Sequence, residues 1–541
     1  MTKLIFSYFP ILMLIFLMVK KNNMPSTKAL PLTALVTYLI MFFIFQEDPN
    51  LIHATVLKGL LVAWTPILII AGAIFLFRTM EATPSLNNIR DGLNSVSSNR
   101  IAQLMIIGWA FPFLIEGASG FGTPAAIAAP ILIGLGFPPL RVAIFVLITD
   151  TIPVSFGAVG TPTWFGFSAI SLSESEIMAI GFKSAILNST AALFIVPIAL
   201  TFVIKAKAIL KNWLFILLSV VATLIPYLIL SMFSYEFPSL VGGAVGLIVS
   251  VILAKKGIGL SEEEVILQNT DKDPDFSTVT FKNTETLHPQ KSNLFKATFP
   301  LWGTILLLVL TRIPQIGLKN LLTLTDPALH LKLGSLGNFS LSPALVLGLD
   351  NIFGSTVNWS HALLYVPSLT PFFLISILTL LFYGDIKKAS GIFKITVEQM
   401  KGPVLALSGA LVFVNLMMMG EDHSAVKLIA DNLAHFMGSM WAYTAHFLGA
   451  LGTFFSGSNT ISNLTFGGIQ DAIASDLGLN RTSILAMQSV GGAMGNMICI
   501  NNIVAVASVL GLVKVEGYIL KRTVKALIVY GVIVGVMAIF M

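Results

Sequence analysis

Cysteine, charge and catalytic signatures are all scarce in this 541-residue sequence. The one cysteine, Cys499, argues against a disulfide framework and against a cysteine-based metal site. Charged residues make up 11% of the chain, whereas soluble domains carry about 25%. The sequence lacks a GxxxxGK-S/T phosphate loop, a GxSxG nucleophile elbow and an HExxH zinc motif. We therefore expect no enzyme, no cofactor, no metal site and no P-loop pump, so that energy comes from an ion gradient.

Apolar residues are what the chain has in abundance. They account for 55% of the sequence, and the mean hydropathy is +0.88. Because the apolar runs are long and continuous rather than alternating, they predict an all-α integral membrane protein. The net charge of +6 is expected in cytoplasmic loops and is not interpreted as a nucleic-acid signal. The run 4–19 lacks a small-residue cleavage site, so it is interpreted as a first span rather than a signal peptide.

Apolar windows predict about twelve spans. Placing Lys- and Arg-rich loops on the cytoplasmic side orients all of them, with both termini outside. The polar loop 255–294 is then cytoplasmic, and the pattern leaves segment 312–360 undecided between a loop and a membrane-dipping element. The predicted spans are roughly 4–19, 31–45, 57–77, 141–169, 178–203, 212–233, 238–254, 297–311, 361–382, 403–419, 482–512 and 523–541.

Two further apolar regions, 101–137 and 438–475, are too long for one span and are broken in the middle by small and polar residues. We predict that each is a re-entrant helical hairpin and that the two enter from opposite faces. Each is followed by an arginine, Arg141 or Arg481, and then by a broken apolar span. The predicted breaks are at Asp150, Pro153, Gly157 and Gly160 in the first span and at Gly491, Gly492, Gly495 and Asn496 in the second. This order of features predicts an inverted repeat, with a first half at 57–203, a second half at 361–520 and a binding site at the membrane midplane.

The two predicted hairpin tips read EGASGFGTP and GSNTISN. Helix N-termini bind anions, glycine allows close approach to the backbone, and hydroxyl and amide side chains add neutral hydrogen-bonding groups. This composition is typical of a receptor for a small carboxylate or hydroxycarboxylate. The alternative is that the small residues only let helices pack closely. The predicted substrate-binding residues are Gly117, Ser119, Gly120, Gly122, Thr123, Ser458, Asn459, Thr460, Ser462 and Asn463.

Glu116 and Asp150 are the predicted proton-coupling residues, since an ionisable group inside a span is expensive and usually functional. A structural hydrogen bond to broken backbone and a cation ligand are the alternatives at both positions. His446, in the first arm of the second hairpin, is interpreted as a helix-packing histidine with its hydrogen bonds satisfied, and the alternative is that it faces the site.

The stretch FPFLIEGASGFGTPAAIAAPILIGLGFPPLRVA (111–143), followed by LITDTIPVSFGAVGTP, closely resembles the signature region of the L-lactate permease family. GTFFSGSNTISNLTFGGIQ (452–470) is similar to that family's second signature, and the resemblance covers essentially the whole chain. It implies a multi-pass proton symporter of the bacterial cytoplasmic membrane that imports L-lactate, with D-lactate and glycolate as further substrates. The implied partners are the substrate, the proton and the lipid bilayer, and the oligomeric state stays open.

A wider resemblance links Ser458-Asn459-Thr460 to the SNT motif at the hairpin tips of elevator-type ion transporters. Those proteins carry the motif in both halves, whereas the first tip here reads ASGFGT, so their sodium sites are not transferred. The mechanism we expect is alternating access, in which the hairpins and the broken spans 141–169 and 482–512 move against a scaffold of the remaining helices. The competing classes are a sodium-coupled carboxylate transporter, an ion antiporter of similar architecture, and a passive channel or receptor.

Overall fold

The computed structural model describes residues 2–19, 24–94, 96–120, 123–261, 294–312, 316–326, 328–366, 368–420, 423–510, 512 and 515–541, and within these ranges the chain is mostly helical. The α-helices are α1 (Thr2–Val19), α2 (Ser26–Ile40), α3 (Pro49–Val62), α4 (Trp64–Ala82), α5 (Ser85–Asn94), α6 (Arg100–Met105), α7 (Phe111–Ser119), α8 (Thr123–Gly134), α9 (Pro139–Thr149), α10 (Gly157–Trp164), α11 (Glu174–Thr201), α12 (Ala206–Lys211), α13 (Trp213–Ser231), α14 (Pro238–Lys255), α15 (Leu294–Ala297), α16 (Phe299–Arg312), α17 (Leu318–Leu322), α18 (Leu374–Tyr383), α19 (Ala389–Met417), α20 (Ala425–Met437), α21 (Trp441–Ser456), α22 (Asn459–Asp476), α23 (Arg481–Gly495), α24 (Ile500–Val509) and α25 (Glu516–Met537).

Eight helices within the described ranges are long and apolar enough to cross a membrane, or ten if each of two bent helix pairs counts as one span. Seven of the eight and both bent pairs coincide with predicted spans. The other three predicted spans form shorter apolar helices, Thr2–Met18, Phe299–Leu308 and Leu369–Tyr383. The eighth of the long apolar helices is Arg100–Ala118, where α6 and α7 join through a π-helical turn. The sequence pattern had assigned this segment to the first arm of a re-entrant hairpin, too short to cross comfortably.

The chain divides into two compact units, and the first comprises Met1–Leu86 and Phe295–Phe436. In this unit α2, α3 and α4 all pack against the long helix α19. Gly409 of α19 lies so close to the backbone of Leu30 and Pro31 that a Cβ atom would approach Pro31 N to 2.4 Å. Small residues allow this close helix packing where both sides are apolar.

Segment 312–360, which the sequence left undecided, contains most of a small β-sheet in the first unit. Four strands pair antiparallel in chain order: β1 (Leu329–Lys332), β2 (Asn338–Leu341), β3 (Val346–Asp350) and β4 (Trp359–Ala362). The register places Phe339 opposite Leu349. Leu349 and Ile352 form a small apolar core with Ala54 of α3. The mostly helical fold therefore includes one β element that the all-α prediction lacked.

The second unit comprises Asn87–Leu294 and Met437–Met541. It contains both predicted hairpins and both broken spans, together with α11, α13, α14 and α25. Helix α14 packs on α7 and α13, and α11 packs on α9, α23 and α25. Glycines again set the closest contacts: Gly117 lies against the backbone of Leu240, and Gly243 lies against the backbone of Leu114.

The second unit contains the same series of elements twice. Helices α7 and α8 are separated by a break at Gly120, which has a φ of 62°, and α21 and α22 by a break at Gly457, with a φ of 73°. Glycine adopts this left-handed conformation without strain. The bent pair that follows turns by 42° in the first series (Pro139–Thr149 with Ile152–Trp164) and by 40° in the second (Arg481–Ile498 with Ile500–Ala507).

Helices α21 and α22 form an antiparallel hairpin. Ser462 Oγ donates a hydrogen bond to the carbonyl of Gly449 (2.7 Å), and Gln470 Nε2 donates one to the carbonyl of Ala445 (2.7 Å), so residues later in α22 pair with residues earlier in α21. The Trp441 indole N–H closes the far end by donating to Gln470 Oε1 (2.8 Å).

The second bend begins later than the sequence suggested. Gly491, Gly492 and Gly495 were interpreted as part of the break, but they lie inside α23, which ends at Gly495. A Cβ atom at Gly491 would approach the carbonyl oxygen of His446 to 1.9 Å. This glycine therefore serves close packing of α23 on α21, which is the alternative that composition alone could not separate from a break.

Candidate functional site

A pocket that is partly open to solvent lies in the second unit where the breaks of the two series meet. Both helix pairs and both bends contribute to its lining. The lining residues are Glu116, Gly120, Val154, Gly157, Ala158, Pro162, Gly457, Ser458, Asn459, Thr460 and Asn496.

One wall of the pocket is a strained turn. After the 3₁₀ segment Ile152–Phe156, three consecutive residues are left-handed: Ala158 (φ 45°), Val159 (φ 57°) and Gly160 (φ 69°). This conformation costs about 1–2 kcal/mol for each residue that has a Cβ atom. It persists only where surrounding contacts enforce it, and such strain clusters at functional sites.

The predicted proton-coupling residues are both buried beside this wall. Glu116 is 3% exposed and lines the pocket, and Asp150, at the end of α9, is 1% exposed. Glu116 Oε2 and Asp150 Oδ1 have no hydrogen-bond partner among the described residues. Asp150 is near enough for its charge to act on Glu116. A buried carboxylate without a counter-charge is costly, and binding a proton removes that cost.

Gly157 determines where the Glu116 carboxylate can lie. A Cβ atom at this position would approach Glu116 Oε1 to 2.3 Å. Such a distance is not compatible with unbonded atoms, so the carboxylate occupies space that only glycine leaves free. The backbone at Gly157 is extended, with a φ of −63°, so glycine is needed here for space and not for its conformation.

The opposite wall is the start of α22. Ser458 is the N-cap residue, and its hydroxyl accepts a hydrogen bond from the Ile461 N–H (3.4 Å). Asn459 Nδ2 donates to the carbonyl of Ser489 (3.0 Å), whereas the buried Asn459 Oδ1 has no partner in the part of the chain that the structure describes. The lining residues thus present a helix N-terminus, hydroxyls and amides, with one carboxylate and no cationic side chain. Groups of this kind are neutral donors that can bind a small anion.

The structure brings together Gly120, Ser458, Asn459 and Thr460 of the predicted binding residues, beside Glu116. Gly117 instead packs on α14. Ser462 and Asn463 are buried and hydrogen-bonded within the protein, because Asn463 Nδ2 donates to the carbonyl of Pro162 (3.0 Å) and both side chains accept from Gln488. Gly122 lies outside the described residues, as do the side chains of Ser119 and Thr123.

Sequence reasoning missed part of the lining. It had noted Gly157 and Asn496 only as positions where a span breaks, and Ala158 and Pro162 carried no signal of their own. Their only signal was the density of glycine and proline between Pro153 and Pro162. His446 also differs from expectation: it is completely buried beside Phe447, but neither ring nitrogen has a hydrogen-bond partner among the described residues.

Comparison with known proteins gives similarity along the whole chain. The L-lactate permease family profile matches residues 3–541. A Haemophilus influenzae protein named as a candidate L-lactate permease is 46% identical over 542 residues, which covers 100% of this chain and 99% of the relative. The L-lactate permease of Bacillus subtilis is 27% identical, with 84% of this chain and 81% of the relative covered. The Escherichia coli glycolate permease GlcA is 25% identical, with 93% and 90% covered.

Proposed function

This chain belongs to the L-lactate permease family, and we propose that it imports L-lactate, and also D-lactate and glycolate, by proton symport across the bacterial cytoplasmic membrane. The observation that carries the proposal is the pocket itself. It combines neutral hydrogen-bonding groups and a helix N-terminus with one buried, partly unpartnered carboxylate. That combination suits a small hydroxy acid together with a proton.

The substrate carboxylate binds at the N-terminus of α22, where the first backbone N–H groups have no partner inside the helix. The side chains of Ser458, Asn459 and Thr460 bind the 2-hydroxyl group. Because none of the described lining residues is cationic, no side chain among them offsets the charge of an ionised Glu116. An anionic substrate and an ionised Glu116 in the same pocket repel one another, so the proton binds before or with the anion. The pair is electroneutral, which favours its transfer across an apolar barrier.

Transport proceeds by alternating access. The breaks at Gly120 and Gly457 are the tips of two re-entrant hairpins that enter from opposite faces, and the two series of elements are an inverted repeat. The moving body is larger than the hairpins and bent spans alone. It is the whole second unit, because α11, α13, α14 and α25 pack on those elements within it. The pocket lies entirely within this unit and stays assembled as it moves, as an elevator-like mechanism requires.

The test is uptake of radiolabelled L-lactate into proteoliposomes that hold an inward proton gradient and no sodium. We expect concentrative uptake that a protonophore abolishes. Uptake that requires sodium would show that sodium, and not the proton, is the coupling ion. No uptake of lactate or glycolate under either gradient would refute the substrate assignment and direct attention to other carboxylates or to ion exchange.

The proton assignment has its own test. We expect Glu116→Gln to abolish uptake driven by the pH gradient while retaining exchange of external for internal lactate, because a permanently neutral side chain allows the anion to bind but carries no proton. Asp150→Asn should alter the pH dependence of uptake, since Asp150 acts on Glu116 through its charge. If both variants keep full pH-driven uptake, neither residue carries the proton.

A further inference from the structure

Ser155 lies three residues before the strained turn Ala158–Gly160 and makes hydrogen bonds both across the turn and to a neighbouring helix. The Ser155 carbonyl accepts a hydrogen bond from Thr163 Oγ1 (2.7 Å), which closes the chain across the turn. The Ser155 hydroxyl accepts one from Asn188 Nδ2 (3.0 Å). Ser155 is one residue from the pocket-lining Val154 and two from Gly157.

Asn188, on α11, uses both ends of its amide. Besides Ser155, its Nδ2 donates to the hydroxyl of Tyr227 on α13 (3.1 Å), and its Oδ1 accepts from the hydroxyl of Tyr530 on α25 (2.6 Å). The side chains of Asn188, Tyr227 and Tyr530 are all completely buried. One amide thus joins three long helices to the 3₁₀ segment that leads into the strained turn.

The same connection reaches the opposite wall of the pocket. The Ser155 hydroxyl lies 3.5 Å from the carbonyl of Ser489, at the outer limit of a hydrogen bond, and that carbonyl also accepts from Asn459 Nδ2 (3.0 Å). Asn459 lines the pocket from the second series, whereas Ser155 belongs to the first. A continuous set of contacts therefore runs from Asn188 through Ser155 and Ser489 to Asn459.

We propose that Asn188 is a positioning residue for the substrate site: it fixes Ser155, and through Ser155 it sets both the strained wall and the orientation of Asn459. The proposal rests on the proposed function, because it takes the pocket to be the substrate site. An amide suits this role because one planar group offers donors to two hydroxyls and an acceptor to a third. Fully satisfied buried networks of this kind hold a single geometry.

The test compares Asn188→Leu, which keeps the size of the side chain and removes its hydrogen bonds, with Ser189→Ala. Ser189 is the neighbouring buried residue, and its hydroxyl has no partner among the described residues, which makes it a matched control. In proteoliposomes we expect Asn188→Leu to raise the KM for lactate by about tenfold or more, since three buried partners lose their hydrogen bond. Ser189→Ala should keep the wild-type KM.

A double variant separates positioning from general destabilisation. If Asn188 acts through Ser155, Ser155→Ala should also raise KM, and the combination with Asn188→Leu should be no worse than the more severe single change. Effects on KM that multiply, or a wild-type KM in Asn188→Leu, would overturn the proposal. Should Asn188→Leu not fold, Tyr530→Phe can take its place in the comparison with Ser155→Ala. Tyr530→Phe removes only the hydroxyl that donates to Asn188 Oδ1.

Hydrogen exchange needs no substrate, so it tests the positioning role of Asn188 independently of the proposed function. Hydrogen exchange in peptides covering 152–164 should be faster in Asn188→Leu than in the wild type and unchanged in Ser189→Ala. Unchanged exchange in Asn188→Leu would refute the positioning role even if lactate were not the substrate. Absence of lactate uptake by the wild type would refute the proposed function and leave the exchange result intact.

Discussion

At the scale of single residues, the pocket depends on a missing methyl group. The Glu116 carboxylate lies where a side chain at Gly157 would begin, with its Oε1 atom 2.3 Å from the position of a Cβ atom. The absence of a side chain at Gly157 therefore helps to determine the position of the carboxylate. Because the backbone there is extended, substitution by alanine tests space alone.

We predict that Gly157→Ala displaces the Glu116 side chain and lowers proton-driven uptake by about 10–100-fold, as misplacement of a reacting group by about 1 Å does. The protein should still reach the membrane in normal amounts, since the carboxylate is the flexible end of its side chain. Initial uptake rates under a pH gradient measure the effect. Gly517→Ala is the control, because a Cβ atom at Gly517 has nothing within 4 Å and should leave uptake unchanged. Equal rates in the two variants would show that Gly157 does not position Glu116.

At the scale of elements, the contact of α21, α22 and α23 distinguishes two adjacent glycines. A Cβ atom at Gly491 would meet the backbone of His446, with its carbonyl oxygen at 1.9 Å. At Gly492 it would meet the side chains of Asn459, with Oδ1 at 1.9 Å, and Thr453, with Oγ1 at 3.2 Å. Backbone cannot move without separating two helices, whereas the end of a side chain can.

We therefore predict opposite phenotypes for the two alanine variants. Gly491→Ala should destabilise the protein by about 1–3 kcal/mol, as overpacking does, and lower its thermal midpoint in detergent. Gly492→Ala should fold normally but raise the KM for lactate by about tenfold, because Asn459 at the pocket is displaced. Thermal unfolding and uptake kinetics on the same purified samples check both. If Gly492→Ala lost stability while its KM stayed at the wild-type value, Asn459 would have no place in the substrate site.

At the scale of the whole molecule, the two series of elements in the second unit predict the directions in which their helices cross the membrane. Each series ends in a long apolar helix, α11 in the first and α25 in the second. In an inverted repeat these two helices cross the membrane in opposite directions. The loop charges agree, since Glu174 and Glu176 begin α11, whereas Lys521, Arg522 and Lys525 lie in the first half of α25.

We predict that a cysteine at Ser171, just before α11, reacts with a membrane-impermeant maleimide added to intact cells. Cysteines at Lys207, beyond the end of α11, and at Gly517, at the start of α25, should react only after the membrane is permeabilised. All three positions are exposed, and the native Cys499 is completely buried, so it contributes little background. Labelling of Ser171→Cys and Gly517→Cys from the same side would exclude an inverted repeat.

The sequence by itself determined the class of the protein and two of the stretches that line the pocket. Long apolar runs with few charges specify membrane helices, because the bilayer demands that backbone hydrogen bonds be satisfied within the segment. Breaks in those runs, at EGASGFG and GSNT, predicted residues that line the pocket. Both inferences depend on local chemistry, which sequence records directly.

The tertiary structure decided which of those residues share a surface. Sequence could not show that the side-chain amide of Asn463 makes hydrogen bonds to Pro162 and Gln488, because both partners are distant in the chain. Nor could it separate Gly491, which packs helices, from Gly457, which ends one. It also gave no sign that Asn188 joins three helices to the pocket wall. Each of these roles depends on what lies opposite a residue across an interface, and only the packing of the helices determines that.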